Sequence, residues 1–373
     1  MSLIKSFVFF LLAIILLQFN FACTEVYSPK INSSEGMLVV DGRISNSPGP
    51  YQVKLFRTVA INSTDSIVAE PNAIVTINCD DGNIEILNEI KTGVYETQTE
   101  NFIGEIGKTY WVEIITSNEN KYESIPEVIQ GELEIDSLYA EQVKITIDID
   151  NEIDGVNFFY NLKEHQNKSK YYIWDYQESW EFQTIENIPK TENPEYVCYP
   201  TGKSNNINII NASIFDIQNI EKLPVVTLTD RTAKIFYEYY FMVNVYSISE
   251  ECFLFWDNIK KNSQNSGSLF DAIPANLRGN IQSCEDKTPV LGYFQVSSHT
   301  SRGKAFPSDL FELTTGNMPG ECTSFPTMEP DPILHHIVSK RTIPNGDVVY
   351  TVRPSFCYDC SLKYSPNKPS FWY

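Results

Sequence analysis

Two cysteines two residues apart, Cys357-Tyr358-Asp359-Cys360, are the sharpest chemical feature of this 373-residue chain. Thiolates at that spacing can share one metal ion, and with Cys322 and the neighbours His335 and His336 they supply the donors of a tetrahedral zinc site. The same pair can cycle as a redox dithiol, but that chemistry wants the start of a helix inside a βαβ unit, a pattern absent here. In an exported chain the oxidised alternative is expected. The pair then forms disulfides, with partners drawn from Cys198, Cys284 and Cys322, and spacing alone does not choose among them.

Little else in the chain suggests catalysis. There are four histidines, at 165, 299, 335 and 336. No Gly-x-Ser-x-Gly elbow, His-Glu-x-x-His helix, phosphate-binding loop or dinucleotide fingerprint occurs. Among 48 carboxylates a glycosidase-like pair has room to exist, but no spacing singles one out. The expectation is a protein that is not an enzyme, with no catalytic residue, resident metal or cofactor. Asp148, Asp150, Glu152 and Asp154 before Gly155 look like a calcium loop, yet Ile153 stands where an EF-hand needs glycine. A solvated turn between strands is the expectation there.

Cys23 belongs to a different kind of chemistry. It closes a stretch with Lys5 near its start, an apolar block from Phe7 to Leu17, and Phe21-Ala22 before the cysteine. That is the build of an export signal, too short to span a bilayer, which takes about twenty apolar residues. A cysteine after a small residue reads as a lipoprotein signal over residues 1–22, with Cys23 acylated as the first mature residue. The alternative is an ordinary signal cut near Ala22, since Asn20 and Phe21 depart from the usual lipobox. Acyl chains hold a protein firmly, because each buried methylene adds roughly 0.8 kcal/mol.

The elements that must carry these residues are mostly strands. Hydrophobic residues make up 42% and aromatics 13%, enough for real cores, while a formal charge of −20 argues against nucleic acid and anionic lipid as partners. Residues 23–36 read as a polar tether. Over 37–131, alternating runs at Met37 to Ile44, Tyr51 to Thr58, Ala73 to Cys79, Gly93 to Thr99 and Thr109 to Thr116 are punctuated by turns, among them Asp81-Gly82. About seven strands in that span predict an immunoglobulin-like β-sandwich.

Residues 132–373 are expected to form a larger β-rich, α+β domain with a disulfide-stapled tail. Its runs are Val143 to Ile149, Gly155 to Leu162, the aromatic Tyr171 to Tyr176, Ala233 to Ile248 and Val290 to Ser297. The Ala233 to Ile248 run is apolar on both faces, which predicts a central strand covered twice. One main helix is predicted from Glu250 to Ser263, capped by Ser249, with Cys252, Phe253, Phe255, Trp256 and Ile259 on one stripe. The fold class is therefore mainly β.

The order of these features resembles a family of exported Bacteroidota lipoproteins grouped as domain of unknown function 4249. The resemblance rests on Leu38-Val39-Val40-Asp41-Gly42 with Gly49-Pro50-Tyr51-Gln52-Val53-Lys54-Leu55, Gly93-Val94-Tyr95, Gly107-Lys108-Thr109-Tyr110 and Ile135-Asp136-Ser137-Leu138. It continues through Tyr171-Tyr172-Ile173-Trp174, Leu269-Phe270-Asp271, Arg278-Gly279-Asn280-Ile281, Gly292-Tyr293-Phe294, the Cys357 to Cys360 turn and the closing Lys368-Pro369-Ser370-Phe371-Trp372. Where the family usually has arginine after the second cysteine, Ser361 stands here. The resemblance implies an immunoglobulin-like first half and a role beside a TonB-dependent outer-membrane β-barrel, and it brings no catalytic residues with it. Asp65-Ser66-Ile67 and Asp136-Ser137-Leu138 resemble the O-glycosylation triplet of such exported proteins, at Ser66 and Ser137.

The resulting expectation is an outer-membrane lipoprotein, lipid-anchored at the cell surface, acting as a binding or accessory subunit. The alternatives are a structural adhesin or stabilising subunit of an assembly or secretion machine and, less in keeping with the motifs, an enzyme acting on glycan or peptide.

Overall fold

A computed structural model describes residues 36–59, 67–98, 102–149, 151–163, 170–184, 196–214, 219–264, 279–285, 288–313 and 320–372. Cys23, the tether up to residue 35, Ser66 and Asp150 lie outside the described residues.

The first strands follow the alternation of the sequence. They are β1 (Leu38–Ser45), β2 (Gln52–Arg57), β3 (Val68–Ala69), β4 (Ile74–Cys79), β5 (Ile84–Lys91), β6 (Val94–Thr97), β7 (Thr109–Ile115), β8 (Lys121–Ser124) and β9 (Glu127–Val128). Every second residue points inward, so Val40 and Ile44, Val53 and Leu55, Val75 and Ile77, and Val112 and Ile114 enclose one buried core in a sandwich-like arrangement. At the β4–β5 turn Gly82 takes a φ of +89° and Asp81 accepts the Asn83 N–H at 2.9 Å, so the Asp-Gly hairpin forms where the sequence places it.

The second half supplies β10 (Glu134–Asp148), β11 (Asn151–Lys163), β12 (Tyr171–Trp180), β13 (Phe182–Gln183), β14 (Val197–Cys198), β15 (Thr201–Lys203), β16 (Asn208–Asn211), β17 (Asn219–Thr229) and β18 (Glu238–Ile248). The helix α1 (Glu250–Gln264) then leads to β19 (Ile281–Ser283) and β20 (Leu291–Pro307). β10 and β11 pair antiparallel on either side of the acidic run, and Asp154 turns inward to pair with Lys144 Nζ at 2.7 Å.

β18 lies between β12 and β20, as a doubly covered strand should. On one face Tyr239, Phe241, Val243 and Val245 meet the sheet β10-β11-β17 around Phe158, whose ring lies 4.9 Å from Tyr239 and 5.1 Å from Phe306. Aromatic pairs at such spacing add about 0.5–1.5 kcal/mol each beyond area burial. On the other face α1 covers Ile248, Tyr246 and Tyr293 with Cys252 and Phe255. Ser249 Oγ accepts the Cys252 N–H at 3.1 Å, the expected N-cap.

Two expectations need correction. β18 starts at Glu238, because Ala233–Ile235 form a 3-10 turn capped by Thr232, whose side chain takes the Lys234 N–H. The strand expected to stop at Ser297 continues to Pro307. Between Ser298, which is buried, and Phe306, which enters the second core, the residues are mostly polar and part-exposed, so hydrophobic alternation fades while the hydrogen-bond ladder to β18 continues from Ser298 to Pro307.

That length joins the molecule. Leu291 to Ser297 of β20 pair in parallel with Val39 to Ser45 of β1, and the rest of the strand pairs with β18. The chain leaves the first sandwich near residue 131 but returns to it at Asn280, where β19 pairs with β8 and Ile281, Val290, Phe294 and Val296 enter the first core. Asn280 locks the return: its side chain accepts the Phe294 N–H and donates to the Phe294 carbonyl, both at 2.9 Å.

The tail forms β21 (Phe325–Thr327), β22 (His335–Thr342) and β23 (Val348–Pro354), with 3-10 turns at Ser355–Cys357 and Cys360–Leu362. Cys322 pairs with Cys357 and Cys198 with Cys360, so the four sulfurs bind one another and are not metal ligands. Cys284 does not join them; it is a free, exposed thiol after β19, held at the edge of the joined sheet beside β8, where its N–H donates to the Lys121 carbonyl at 2.9 Å. His335 accepts the Asp331 N–H at 3.1 Å, and the His336 ring lies 4.3 Å from that of Tyr358. Ser361 Oγ donates to Asp359 at 2.6 Å, beside the second disulfide. The closing Trp372 stacks on Tyr240 and meets Tyr199 edge-on, so the last motif is a packing device.

Two outcomes follow for stability. Gly292 has a φ of +89°, and a Cβ there would stand 1.9 Å from the Val40 carbonyl oxygen, whereas Gly107, at +85°, has open space around it. In urea titrations Gly292→Ala is expected to lose on the order of 3 kcal/mol or more and Gly107→Ala about 1 kcal/mol. Cys198 and Cys360 are 162 residues apart. Replacing both by serine is expected to lose on the order of 3–5 kcal/mol by the chain-entropy argument, read as a lower denaturation midpoint.

Candidate functional site

The outward face of the joined sheet collects polar side chains from four neighbouring strands. Outward residues alternate with core residues, so β1 presents Asp41 and Arg43, β20 presents Tyr293, Gln295 and His299, β18 presents Asn244 and Tyr246, and β12 presents Ile173 and Asp175. The register sets Asp41 beside Tyr293, Arg43 beside Gln295, Tyr246 between His299 and Ile173, and Asn244 beside Asp175.

Two adjoining hollows share Asp41, Gly42, Arg43 and Tyr246. One, of about 320 Å³, runs under the loop from Ser45 to Gln52 and reaches Lys54 and His299. The other, of about 200 Å³, runs toward Asn206, Asn208, Trp256 and Gln295. Together they form a cleft at the seam between the two halves. Concave surfaces with a few convergent polar groups are where small ligands and peptide segments bind.

Arg43 is the centre of the cleft. Its guanidinium lies 4.0 Å from Asp175 Oδ2 and 5.0 Å from the centre of the Tyr246 ring, and Asp175 Oδ1 accepts from Asn244 at 2.7 Å. Asp41 lies 3.6 Å from Lys54, its cross-strand partner. These exposed pairs are worth little to stability, so their charges are available to a ligand. The loop above is fixed by Tyr51, whose hydroxyl donates to the Ser45 carbonyl at 2.6 Å and to that of Ser47.

Ser47 and His299 make the only arrangement in the cleft that resembles a nucleophile and its base. Ser47 Oγ is hydrogen-bonded to His299 Nδ1, the ring stacks 4.7 Å from Tyr246, and the buried Nε2 has no partner among the described residues. A serine–histidine couple works when a third group orients the ring and raises its basicity. Here burial pushes the imidazole down to about 4, so it stays neutral and is a poor base near neutral pH. The couple holds the loop against the sheet.

Behind Tyr293 sits a second unusual group. The Tyr293 hydroxyl donates to Glu127 Oε1, and Asn280 Nδ2 lies 3.5 Å from the same oxygen. Burial lifts the Glu127 carboxyl to about 7, partly offset by hydrogen bonds from Tyr293 and Ser249. Cys252, at the start of α1 nearby, is a buried free thiol, as is Cys79 in β4.

Of the residues expected to carry chemistry, Cys322, Cys357 and Cys360 lie in the tail and Cys198 in β14, none of them lining the cleft, and Ser137 is half-buried in β10. Sequence reading did not single out Arg43, Asp175, Tyr246 or His299 as a group. The signal that reaches them is indirect: Asp41-Gly42, Pro50-Tyr51-Gln52, Ile173-Trp174 and Tyr293, all part of the family resemblance, line the cleft.

Residues 24–303 match the family described as domain of unknown function (DUF4249), and the chain belongs to it. No curated protein matches the chain. The matched region ends within β20, so β21 to β23 lie beyond it.

The raised Glu127 carboxyl has a measurable consequence. In the unfolded chain it ionises near 4.5 and in the folded protein near 7. Between those values the native state holds the proton that the unfolded state has lost, so stability falls as pH rises through the window. His299 acts oppositely, gaining stability as pH rises from about 4 to 6.5. Comparing wild type with Glu127→Gln removes the histidine contribution: between pH 5 and 7.5 the wild type is expected to lose on the order of 2–3 kcal/mol relative to the variant, measured as the difference in Tm and urea midpoint.

Proposed function

We propose that this family member is a lipid-anchored outer-membrane protein that binds rather than transforms, serving as an accessory subunit beside a TonB-dependent transporter and holding its ligand or partner segment in the seam cleft. The observation that carries this reading is the convergence on one cleft of motif residues from the two halves of the chain, Asp41-Gly42 and Pro50-Tyr51-Gln52 with Ile173-Trp174 and Tyr293. Motifs drawn from the two halves border one cleft, although Tyr51, Trp174 and Tyr293 are themselves buried.

The chemistry of that surface favours binding. Arg43 and Lys54 stand among Asp41 and Asp175, with the amides of Asn206, Asn208 and Gln295 nearby. Such a set recognises a polar ligand by geometry and by both signs of charge. The neutral His299 with its lowered basicity supplies neither a strong base nor an oriented acid. Anchoring rests on the apolar block before Ala22-Cys23. A charge of −20 gives the body no electrostatic attraction to an anionic bilayer, which leaves attachment to the acyl chains.

Purification of the tagged chain from detergent-solubilised outer membranes tests the proposal. A β-barrel is expected to accompany the wild type, Arg43→Glu is expected to reduce the recovered barrel several-fold without moving Tm, and Cys23→Ser is expected to shift the chain into the soluble fraction. Recovery of the wild type without a barrel, or membrane retention of the Cys23→Ser chain, would refute the corresponding part.

A further inference from the structure

The tail differs in charge from the rest of the molecule. Between Gly320 and Tyr373 lie five acidic and five basic residues, a neutral segment in a chain of −20. Its three-stranded sheet has the order β21-β23-β22, so β22 is an edge whose outer side pairs with no strand among the described residues. Every residue from Ile337 to Thr342 is exposed. Ile337 and Val338 are each 47% accessible, and Lys340 and Arg341 form no ion pair among the described residues.

At the His335 end of this edge the surface becomes apolar. Ile333 is 76% and Leu334 62% accessible, and with Pro354, Phe356 and Leu362 they border a hollow of about 330 Å³. A free strand edge offers unpaired N–H and C=O groups to an incoming strand, and pockets along it select side chains. Here the edge and the hollow are continuous.

We propose that β22 is a docking strand for an extended segment of a partner protein, one with acidic side chains that meet Lys340 and Arg341 and an apolar side chain that seats in the hollow beside Leu334. Charge complementarity chooses this occupant. A second copy of the chain would set the same basic pair, Lys340 and Arg341, against its own counterpart along the edge, which disfavours self-pairing. A bilayer is disfavoured by geometry: β20 starts beside Val39 of β1 and runs to Pro307, where Lys368 of the tail meets Glu238 at 3.4 Å. At about 3.3 Å per residue that strand carries the tail roughly 50 Å from the end at which β1 begins. The inference is separate from the seam cleft and does not depend on it.

Fluorescence anisotropy with the mature chain and labelled probe peptides tests it. The probe is a ten-residue peptide of Val with two adjacent Glu pairs and Leu at both ends, so that acidic side chains stand on both faces of the strand, and its counterpart carries Lys in place of Glu. The acidic probe is expected to bind about tenfold or more tighter than the basic one. Lys340→Glu with Arg341→Glu is expected to reverse that preference, Leu334→Asp to weaken binding several-fold, and backbone N-methylation of the probe to abolish it. Equal binding of the two probes, or indifference to the double charge reversal, would overturn the proposal. So would concentration-dependent dimerisation abolished by Val338→Asp, which would assign the edge to a second copy. Binding of the Cys23→Ser chain to phosphatidylcholine vesicles, lost on Leu334→Asp, would overturn it in favour of a lipid surface.

Discussion

The parallel ladder between β1 and β20 is the interaction on which the rest of the structure depends. Its two strands lie about 250 residues apart in sequence, and each is a central member of the joined sheet. A buried strand with unpaired backbone groups is costly, so once β1 has β2 on one side its other side must find a partner. Val40 meets Gly292, Asp41 meets Tyr293 and Gly42 meets Phe294, which makes two short motifs of the sequence a single structural contact. The absence of a side chain at Gly292 allows the backbones to approach where Val40 projects its carbonyl.

Because β20 is long, the same strand that completes the first sandwich builds the second. Its alternation keeps Phe294 and Val296 in the first core, places Phe306 in the second, and leaves Tyr293, Gln295 and His299 on the opposite face. The helix α1 covers only part of that face. The cleft is what remains uncovered, bordered by the helix on one side and by the Tyr51-held loop on the other. Its position is therefore a consequence of joining two sandwiches through one strand, and its polarity follows from the outward half of each strand pattern.

Burial acts in opposite directions on the two titrating groups near this seam. Glu127 keeps its proton because its charged form would lose hydration, and His299 sheds its proton for the same reason. Both tend to be neutral where the sheet is most tightly packed. The charged members of the cleft, Arg43, Asp41 and Asp175, sit where water still reaches them. Low charge inside the seam and charge at its mouth suit a site whose rigid floor presents a polar rim.

The amino-acid sequence by itself determined the local order of this protein. Alternation located β1, β2, β4 and β7 almost to the residue, Asp81-Gly82 its hairpin and Ser249 the start of α1, because each of these is decided by neighbours in the chain. Alternation failed where a strand lies half in solvent, so β20 looked ten residues shorter than it is. Which cysteine pairs with which, the return of residues 280–297 to the first sandwich, and the meeting of Arg43, Asp175, Tyr246 and His299 were decided only by tertiary structure. Those contacts join strands far apart in the chain, and a period of two reports which face a residue takes but carries no information about which strand lies beside it.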